Sequence, residues 1–230
     1  MTPKAVIFDV DGTLVDSVDL HAEAWRLTFD KFGKTVFFTE VRRQIGKGSD
    51  QLLPVFLSDR ELAEFGNELD AYRSELFKRD FLPRVKGFPR VRELFERILR
   101  DNKQIALASS AKSDELATYK RLAGIDDLID KETSSDDAEK SKPFPDIFTA
   151  ALAQLKNVAP TDAMVVGDTP YDAQAAEKIE LSTIGLLCGG WPEQELRRAG
   201  CIAVYADASD LLNRYDESPL GQAQSGQQQH

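Results

Sequence analysis

The fold is decided by the stretch Val6-Ile7-Phe8-Asp9-Val10-Asp11-Gly12-Thr13-Leu14 near the start of the chain. Its first residues belong to a short apolar, partly β-branched run, which predicts a buried strand. Asp9 and Asp11 follow as the run ends, and a Gly-Thr turn signal comes next. Because ligands of open α/β sheets bind beyond the carboxyl ends of the strands, both acids are predicted to face a site and not the core.

Asp9 and Asp11 form a pair of like charges. At an effective dielectric constant near 20, two unit charges ~4 Å apart repel by about 4 kcal/mol. The pair is stable when a cation lies between the carboxylates or when one of them holds a proton. Both arrangements suit phosphoryl transfer, since one carboxylate can attack phosphorus beside Mg²⁺ and the other can protonate the leaving oxygen. The alternative, which is the commoner one for an isolated D-x-D-G, is a solvated turn that closes a strand.

Composition indicates a chain with a proper core and a polar surface. The 230 residues, 42% hydrophobic and 30% charged, are enough for one large domain or one and a half ordinary ones. The net charge of −10 argues against nucleic acid and anionic membranes as partners, because phosphate binding needs clustered Lys and Arg. Most of this charge is expected to serve solubility, and it also fits a site whose carboxylates need a metal.

Cysteine content and the chain ends indicate a cytoplasmic protein. Cys188 and Cys201 form no C-x-x-C or Cys/His cluster, which argues against a structural zinc site and a disulfide framework. The predicted first strand leaves no room for a signal peptide, and no apolar run reaches transmembrane length. Residues 218–230 are rich in Gly, Gln and Ser and are predicted to be a disordered tail. The expected assembly is a monomer or a weak dimer.

After Leu14 the pattern changes from strand to helix. Asp16 or Ser17 is predicted to cap the first helix, and apolar residues then recur at helical spacing as far as Leu76. No strand pattern interrupts this part of the chain. We therefore predict an all-helical cap domain at 16–85, inserted into a core domain made of residues 1–15 and 86–215.

From Gly87 onward, strands and helices alternate. This alternation predicts βαβ units and a parallel sheet. The strands are predicted over residues 104–108, 128–131, 163–167, 183–187 and 202–205.

Two serines follow the strand predicted over residues 104–108. Ser109 and Ser110 precede a helix, where a hydroxyl and free backbone N–H groups can bind a phosphate oxygen. Ordinary helix capping is the alternative, and for these serines taken alone it is favoured.

Lys142 lies in Ser141-Lys142-Pro143-Phe144-Pro145-Asp146, where two prolines restrict the backbone. A lysine held in this way can offset charge on a phosphate and on an aspartyl nucleophile. The alternative is a solvent-facing lysine in a proline-rich loop, which is the commoner fate of such a residue.

Asp168 and Asp172 follow the strand predicted over residues 163–167. They can complete an oxygen-only Mg²⁺ site, and Gly167 allows close approach of the backbone. The alternative is a pair of acids favoured by the helix dipole, which suits Asp172 better than Asp168.

The order of these motifs resembles the haloacid dehalogenase superfamily, and within it the phosphotransferases with a helical cap, such as the phosphoglycolate phosphatase and β-phosphoglucomutase groups. Asp9-Val10-Asp11-Gly12-Thr13 matches the first motif, and Ser109 and Lys142 match the second and third. Residues 167–172 match the fourth. The resemblance extends over nearly the whole chain, to about residue 212.

The resemblance implies a Rossmann-like parallel sheet with strand order 5-4-1-2-3 and an inserted helical cap. It implies that Asp9 is the phosphorylated nucleophile and Asp11 the general acid/base. Mg²⁺ would be held by Asp9, by the carbonyl of Asp11 and by Asp168, with Asp172 in support. The phosphoryl group would be gripped by Ser109 and Lys142.

The same resemblance separates three activities. Asp11 argues against dehalogenation, which needs neither a proton nor a metal. His21 resembles a residue of the first cap helix in β-phosphoglucomutase, but this chain has Gly48-Ser49-Asp50 where such mutases carry an arginine. A phosphatase of small phosphate monoesters is therefore expected, with a mutase and a non-catalytic phosphate-binding regulator as alternatives.

Three residues of the predicted cap are candidates for substrate contacts: His21, Arg43 and Lys47. Arg43 and Lys47 could hold a second charge of the substrate. For Arg43 and Lys47 the alternative is a solvated helix surface, and for His21 it is a helix-surface histidine whose hydrogen bonds are satisfied.

Overall fold

The computed structural model describes residues 2–129 and 131–222 of the chain. Eight strands lie in this part of the chain: β1 (Ala5–Phe8), β2 (Val15–Asp16), β3 (Lys86–Gly87), β4 (Gln104–Ala108), β5 (Glu132–Thr133), β6 (Ala163–Gly167), β7 (Ser182–Leu186) and β8 (Cys201–Tyr205).

Six of these strands form a parallel sheet in the order β5-β4-β1-β6-β7-β8. Counted in chain order, the five strands of the predicted order 5-4-1-2-3 correspond to β1, β4, β5, β6 and β7, so the prediction reads β7-β6-β1-β4-β5. The structure has this order and adds β8 as a sixth strand beside β7. In the middle of the sheet, Phe8 is in register with Leu107 on β4 and with Val166 on β6. The residues that follow β1, β4 and β6 therefore meet at one edge of the sheet.

The segment between β2 and β3 is helical. It contains α1 (Val18–Lys31), α2 (Phe38–Arg42), α3 (Ser49–Phe56), α4 (Asp59–Glu61) and α5 (Asn67–Leu76), with π-helical turns at Leu62–Gly66 and Phe77–Phe81 and a 3-10 turn at Leu82–Arg84. β2 and β3 pair antiparallel, with Val15 opposite Gly87. The chain therefore enters and leaves the helical segment at adjacent points, and its division into cap and core domains stays a prediction.

Six further helices flank the sheet: α6 (Val91–Arg100), α7 (Ser113–Ala123), α8 (Asp146–Ala153), α9 (Pro170–Glu177), α10 (Glu193–Arg198) and α11 (Ala208–Asn213). Alternate residues of β1 point to opposite faces of the sheet. Phe8 packs in one apolar layer, where its ring centroid is 4.6 Å from that of Phe95, and Ile7 packs in the other layer with Phe148. Both faces are covered, as a parallel sheet requires.

Three local predictions differ from the structure. Ser17 precedes α1 but makes no side-chain cap, because its hydroxyl donates to Asp11 Oδ1 at 2.6 Å. The described residues of the strand predicted over 128–131 form no strand, and the edge strand is instead β5. The tail predicted over 218–230 begins with packed residues, since Leu220 is fully buried, and residues 223–230 lie outside the described part.

Within residues 2–129 and 131–222, no helix has the length and apolar character that crossing a membrane requires. Cys188 and Cys201 are both free thiols.

Candidate active site

Asp9 lies directly after β1 at the centre of the sheet, and only 5% of its surface is exposed. Its backbone N–H donates to the carbonyl of Val166 at 2.9 Å, which continues the pairing with β6. The hydroxyl of Thr13 lies 3.1 Å from Asp9 Oδ2 and 3.0 Å from Asp168 Oδ1. Because one hydroxyl hydrogen serves one carboxylate at a time, these two acids still need positive charge or a proton.

Lys142 is fully buried, so the solvent-facing alternative is wrong. Its ammonium group forms ion pairs with Asp9 Oδ1 and, at 2.7 Å, with Asp172 Oδ1. Burial alone would lower the pKa of Lys142, but the charges of Asp172 and Asp9 outweigh it and raise that pKa. The lysine is therefore a fixed cation beside Asp9.

Asp172 has two roles at the start of α9. Its Oδ2 accepts hydrogen bonds from the backbone N–H of Thr169 at 3.0 Å and from the Thr169 hydroxyl at 2.7 Å, which forms a capping box. Its other oxygen pairs with Lys142. The helix-terminus interpretation therefore holds for Asp172, and its role in a metal site stays a prediction.

Asp9, Asp168 and Asp172 form a buried cluster in which each offers a carboxylate oxygen within 4.8 Å of the others. Burial raises the pKa of Asp9 to about 7 although Lys142 opposes it, and burial with the charges of Asp9 and Asp172 raises that of Asp168 well above its usual value. Asp168 Oδ2 has no hydrogen-bond partner among the described residues. A cation relieves such crowding, and an all-oxygen donor set suits Mg²⁺.

The carboxylate of Asp11 lies outside this cluster and turns toward α1. Its Oδ1 accepts a hydrogen bond from Ser17 and lies 3.0 Å from Nε2 of His21. Burial alone would raise the pKa of Asp11, but the charge of His21 and the hydrogen bonds from His21 and Ser17 lower it below its usual value. The resemblance assigns the backbone carbonyl of Asp11, and not this carboxylate, to the metal.

His21 is buried between the helical segment and the core, so it is not a solvated surface residue. Its ring stacks on Phe77 with centroids 3.8 Å apart. Its Nε2 lies 3.1 Å from the hydroxyl of Tyr119, a fully buried residue of α7. The sequence contains no signal for Tyr119, because it looks like an ordinary core residue of an amphipathic helix.

The two serines after β4 differ in their surroundings. Ser109 is buried, and its hydroxyl accepts a hydrogen bond from the backbone N–H of Ala111 at 3.0 Å, as local capping predicts. Ser110 lines the cavity above Asp9. A phosphate contact by either serine stays a prediction.

A cavity of about 110 Å³ lies over Asp9 and Asp11, beneath the helical segment. Lys47 lines this cavity, and its ammonium group donates a hydrogen bond to the side chain of Gln44 at 2.6 Å. Partial burial lowers the pKa of Lys47. Arg43 does not line this cavity. Its guanidinium pairs with Glu195 at 2.7 Å and lies over the ring of Trp191, so it links α2 to the core instead of reaching the substrate region.

The model of the haloacid dehalogenase-like hydrolase family matches residues 6–186. The chain belongs to this family. The matched range begins in β1 and ends with β7, so it includes Asp9, Lys142 and Asp168 together with the helical segment.

Relatives of this hydrolase are named phosphatases. The phosphorylated carbohydrates phosphatase of Thermotoga maritima is 29% identical over 211 residues, which are 91% of this chain and 97% of the relative. A phosphoglycolate phosphatase of Vibrio vulnificus is 30% identical over 194 residues, 81% of this chain and 84% of that protein. A crystal structure of a hydrolase from Pseudomonas syringae superposes with a TM-score of 0.84 at 30% identity, covering 93% of this chain and 98% of the other.

Among the other residues that line the cavity of the hydrolase are Asp70, Arg73 and Glu115, which nothing in the sequence marks as site residues. They lie on helices that come from distant parts of the chain. In sequence, Glu115 looks like an acid placed in a first helical turn by the helix dipole, and the other two look like a solvated helix face.

Proposed function

We propose that this hydrolase is a Mg²⁺-dependent phosphatase of small phosphate monoesters that acts through an aspartyl-phosphate on Asp9. The observation that carries the proposal is the position of Asp9, which is buried at the floor of a cavity and paired with the equally buried Lys142. The relatives that are named phosphatases support the reaction class.

The buried acids support the metal. Three carboxylates lie within 4.8 Å of one another, and one oxygen of Asp168 lacks a hydrogen-bond partner among the described residues. Asp9 and Asp168 would hold the ion, with Asp172 in support and the carbonyl of Asp11 completing the set. When bound, Mg²⁺ supplies positive charge that keeps Asp9 ionised and polarises the phosphoryl oxygens.

In the first half-reaction, a carboxylate oxygen of Asp9 forms a bond to phosphorus while the bond to the leaving oxygen breaks. Asp11, in its protonated form, donates its proton to that oxygen, so the alcohol leaves neutral. Lys142 offsets the negative charge on Asp9 and on the phosphoryl group. The helices above the cavity exclude bulk water during this step.

In the second half-reaction, a water molecule attacks the phosphorus of the aspartyl-phosphate. Asp11, now ionised, takes a proton from that water, and the bond between Asp9 and phosphorus breaks. Free phosphate leaves, Asp9 is again a carboxylate and Asp11 is again protonated. The two half-reactions together consume one ester and one water molecule and release one alcohol and one phosphate.

Asp9→Asn tests the nucleophile. With p-nitrophenyl phosphate and Mg²⁺ we expect the rate to fall at least about a thousandfold, because an amide cannot form the acyl-phosphate. Asp126→Asn, at an exposed acid of the core, is the matched control and should keep the parent rate. An Asp9→Asn protein that hydrolyses the ester at the parent rate would overturn the mechanism.

A turnover assay separates phosphatase from its alternatives. The protein is incubated with β-glucose 1-phosphate and a trace of the glucose bisphosphate, and both glucose 6-phosphate and free phosphate are measured. A phosphatase releases phosphate. Formation of glucose 6-phosphate without matching phosphate would establish a mutase, and the absence of any turnover of any ester would favour a phosphate-binding regulator.

A further inference from the structure

Glu115 is a buried carboxylate that faces the cavity above Asp9 and Asp11. It lies in the first turn of α7, and only 3% of its surface is exposed. In the part of the chain that the structure describes, no side chain forms a hydrogen bond or an ion pair with its carboxylate. Burial raises the pKa of Glu115 although the charges of His21 and Arg73 oppose it.

Asp70 is a second carboxylate of the cavity, and it comes from the opposite side, on α5 of the helical segment. Its Oδ1 is buried and lacks a hydrogen-bond partner among residues 2–129 and 131–222. The nearest cation is Arg73, whose Nη2 is 3.8 Å away, too far for a hydrogen bond. Arg73 itself lies over the ring of Trp25, and its buried Nε has no hydrogen-bond partner among the residues that the structure describes.

The cavity therefore has carboxylate acceptors on two walls, Glu115 from the core and Asp70 from the helical segment. The guanidinium of Arg73 is a hydrogen-bond donor beside Asp70. Hydroxyl groups of a bound molecule would satisfy both kinds of group, because a hydroxyl donates to carboxylates and accepts from guanidinium. An alkyl group would leave the carboxylates unpaired, which is costly for a buried site.

We propose that Glu115 and Asp70 select a leaving group rich in hydroxyls, so that the substrates are monophosphates of polyols or sugars. This inference rests on the proposed phosphatase function and names its substrate class. Glu115, from the core, and Asp70, from the helical segment, would bind hydroxyls of the same leaving group. Recognition therefore requires the helical segment to lie over the core.

Matched ester pairs test the selectivity of the parent protein. Glycerol 3-phosphate is compared with n-propyl phosphate, and sorbitol 6-phosphate with n-hexyl phosphate, so that each pair differs only in hydroxyls. We expect kcat/KM to favour the polyol ester by at least about tenfold in one pair or both.

Variants assign the selectivity to residues. In Glu115→Ala and in Asp70→Ala, the kcat/KM ratio of polyol ester to alkyl ester should fall by about tenfold relative to the parent. Glu115→Gln, which keeps the shape and one acceptor oxygen, should retain more of the ratio. Glu75→Ala, at an exposed glutamate of α5, is the matched control and should leave the ratio unchanged. Thermal unfolding of each variant establishes that it is folded.

Two results would overturn the inference while leaving the phosphatase intact. The parent protein could hydrolyse polyol and alkyl esters equally in both pairs, or Glu115→Ala could lower kcat/KM for both members of a pair by the same factor. Failure to hydrolyse every ester, p-nitrophenyl phosphate included, would instead remove the proposed function and the inference with it.

Discussion

At the scale of single residues, Asp9 and Asp11 have opposite electrostatic surroundings although one residue separates them. Burial raises the pKa of Asp9 to about 7, whereas His21 and Ser17 overcome burial and lower the pKa of Asp11. The proposed roles need an ionised Asp9 and a protonated Asp11. A divalent cation beside Asp9 and a phosphoryl dianion beside Asp11 would each move the pKa in the required direction.

The raised pKa of Asp9 predicts that stability falls as pH rises when divalent cations are removed. In the unfolded chain Asp9 loses its proton near its usual value of 3.8, whereas in the folded protein it keeps the proton until about pH 7. Between these values the folded state binds more protons, so its stability decreases with pH.

The measurement is Tm in EDTA and in Mg²⁺ at about pH 5 and about pH 8. In EDTA we expect a lower Tm at the higher pH. We also expect Mg²⁺ to raise Tm more at the higher pH, because it binds the ionised carboxylates. Asp9→Asn removes part of this pH dependence, and an unchanged pH dependence in that variant would contradict the assignment to Asp9.

Lys142→Met should destabilise the protein. It removes the cation between Asp9 and Asp172 and leaves both carboxylates buried without a counter-ion. Breaking a buried pair in this way costs about 3–5 kcal/mol in the free energy of unfolding. Urea denaturation in EDTA measures it, and Lys156→Met, at an exposed lysine, should stay within about 0.5 kcal/mol of the parent.

At the scale of elements, the site is built from the ends of three neighbouring parallel strands. Asp9 follows β1, Ser109 follows β4 and Asp168 follows β6, and β1 lies between the other two. The turn after β1 brings Thr13 back between Asp9 and Asp168. The start of α9 then orients Asp172 toward Lys142, so a helix cap also serves the site.

Thr169→Val tests this double use of the cap. The change removes the hydroxyl that bonds Asp172 Oδ2 at 2.7 Å, and with it the capping box of α9. We expect a loss of about 1 kcal/mol in the free energy of unfolding and weaker binding of Mg²⁺. Thr149→Val, at an exposed position inside α8, is the control for the substitution itself and should leave Mg²⁺ binding unchanged.

At the scale of the whole molecule, the helical segment is held over the core by contacts outside the cavity. Arg42 donates to the carbonyl of Gly189 at 3.1 Å, and Arg43 pairs with Glu195. The hydroxyl of Tyr171 donates to the Arg43 carbonyl at 2.6 Å. Any motion that lifts the helical segment away from the core would have to break these links.

Trp191 can report such an opening, since the guanidinium of Arg43 lies 4.8 Å from its ring centroid. In a Trp25→Phe background Trp191 is the sole tryptophan, because the sequence contains two. We expect its emission to change when inorganic phosphate and Mg²⁺ are added, and Arg43→Ala to abolish that change. An emission change that survives Arg43→Ala would show that this contact does not report the position of the helices.

Local patterns in the sequence predicted the parallel sheet and the polar residues at its edge. The strands at residues 104–108 and 163–167 have the predicted bounds, because short apolar runs depend on nearby residues alone. The strand predicted over residues 128–131 is misplaced because its apolar residues, such as the buried Ile129, pack in the core and not at the sheet edge. Asp9 and Asp168 stand out in the sequence because they are polar residues directly after apolar runs, and Lys142 stands out because prolines restrict the loop around it.

The sequence by itself therefore determined the fold class, the family and the acids and lysine at the sheet edge. Only the tertiary structure decided that Arg43 turns to Trp191, that Tyr119 meets His21, and that Glu115 and Asp70 face the same cavity. The physical reason is that each of these contacts joins parts of the chain that are far apart in sequence. Polar residues on an amphipathic helix look solvated until another layer packs over them.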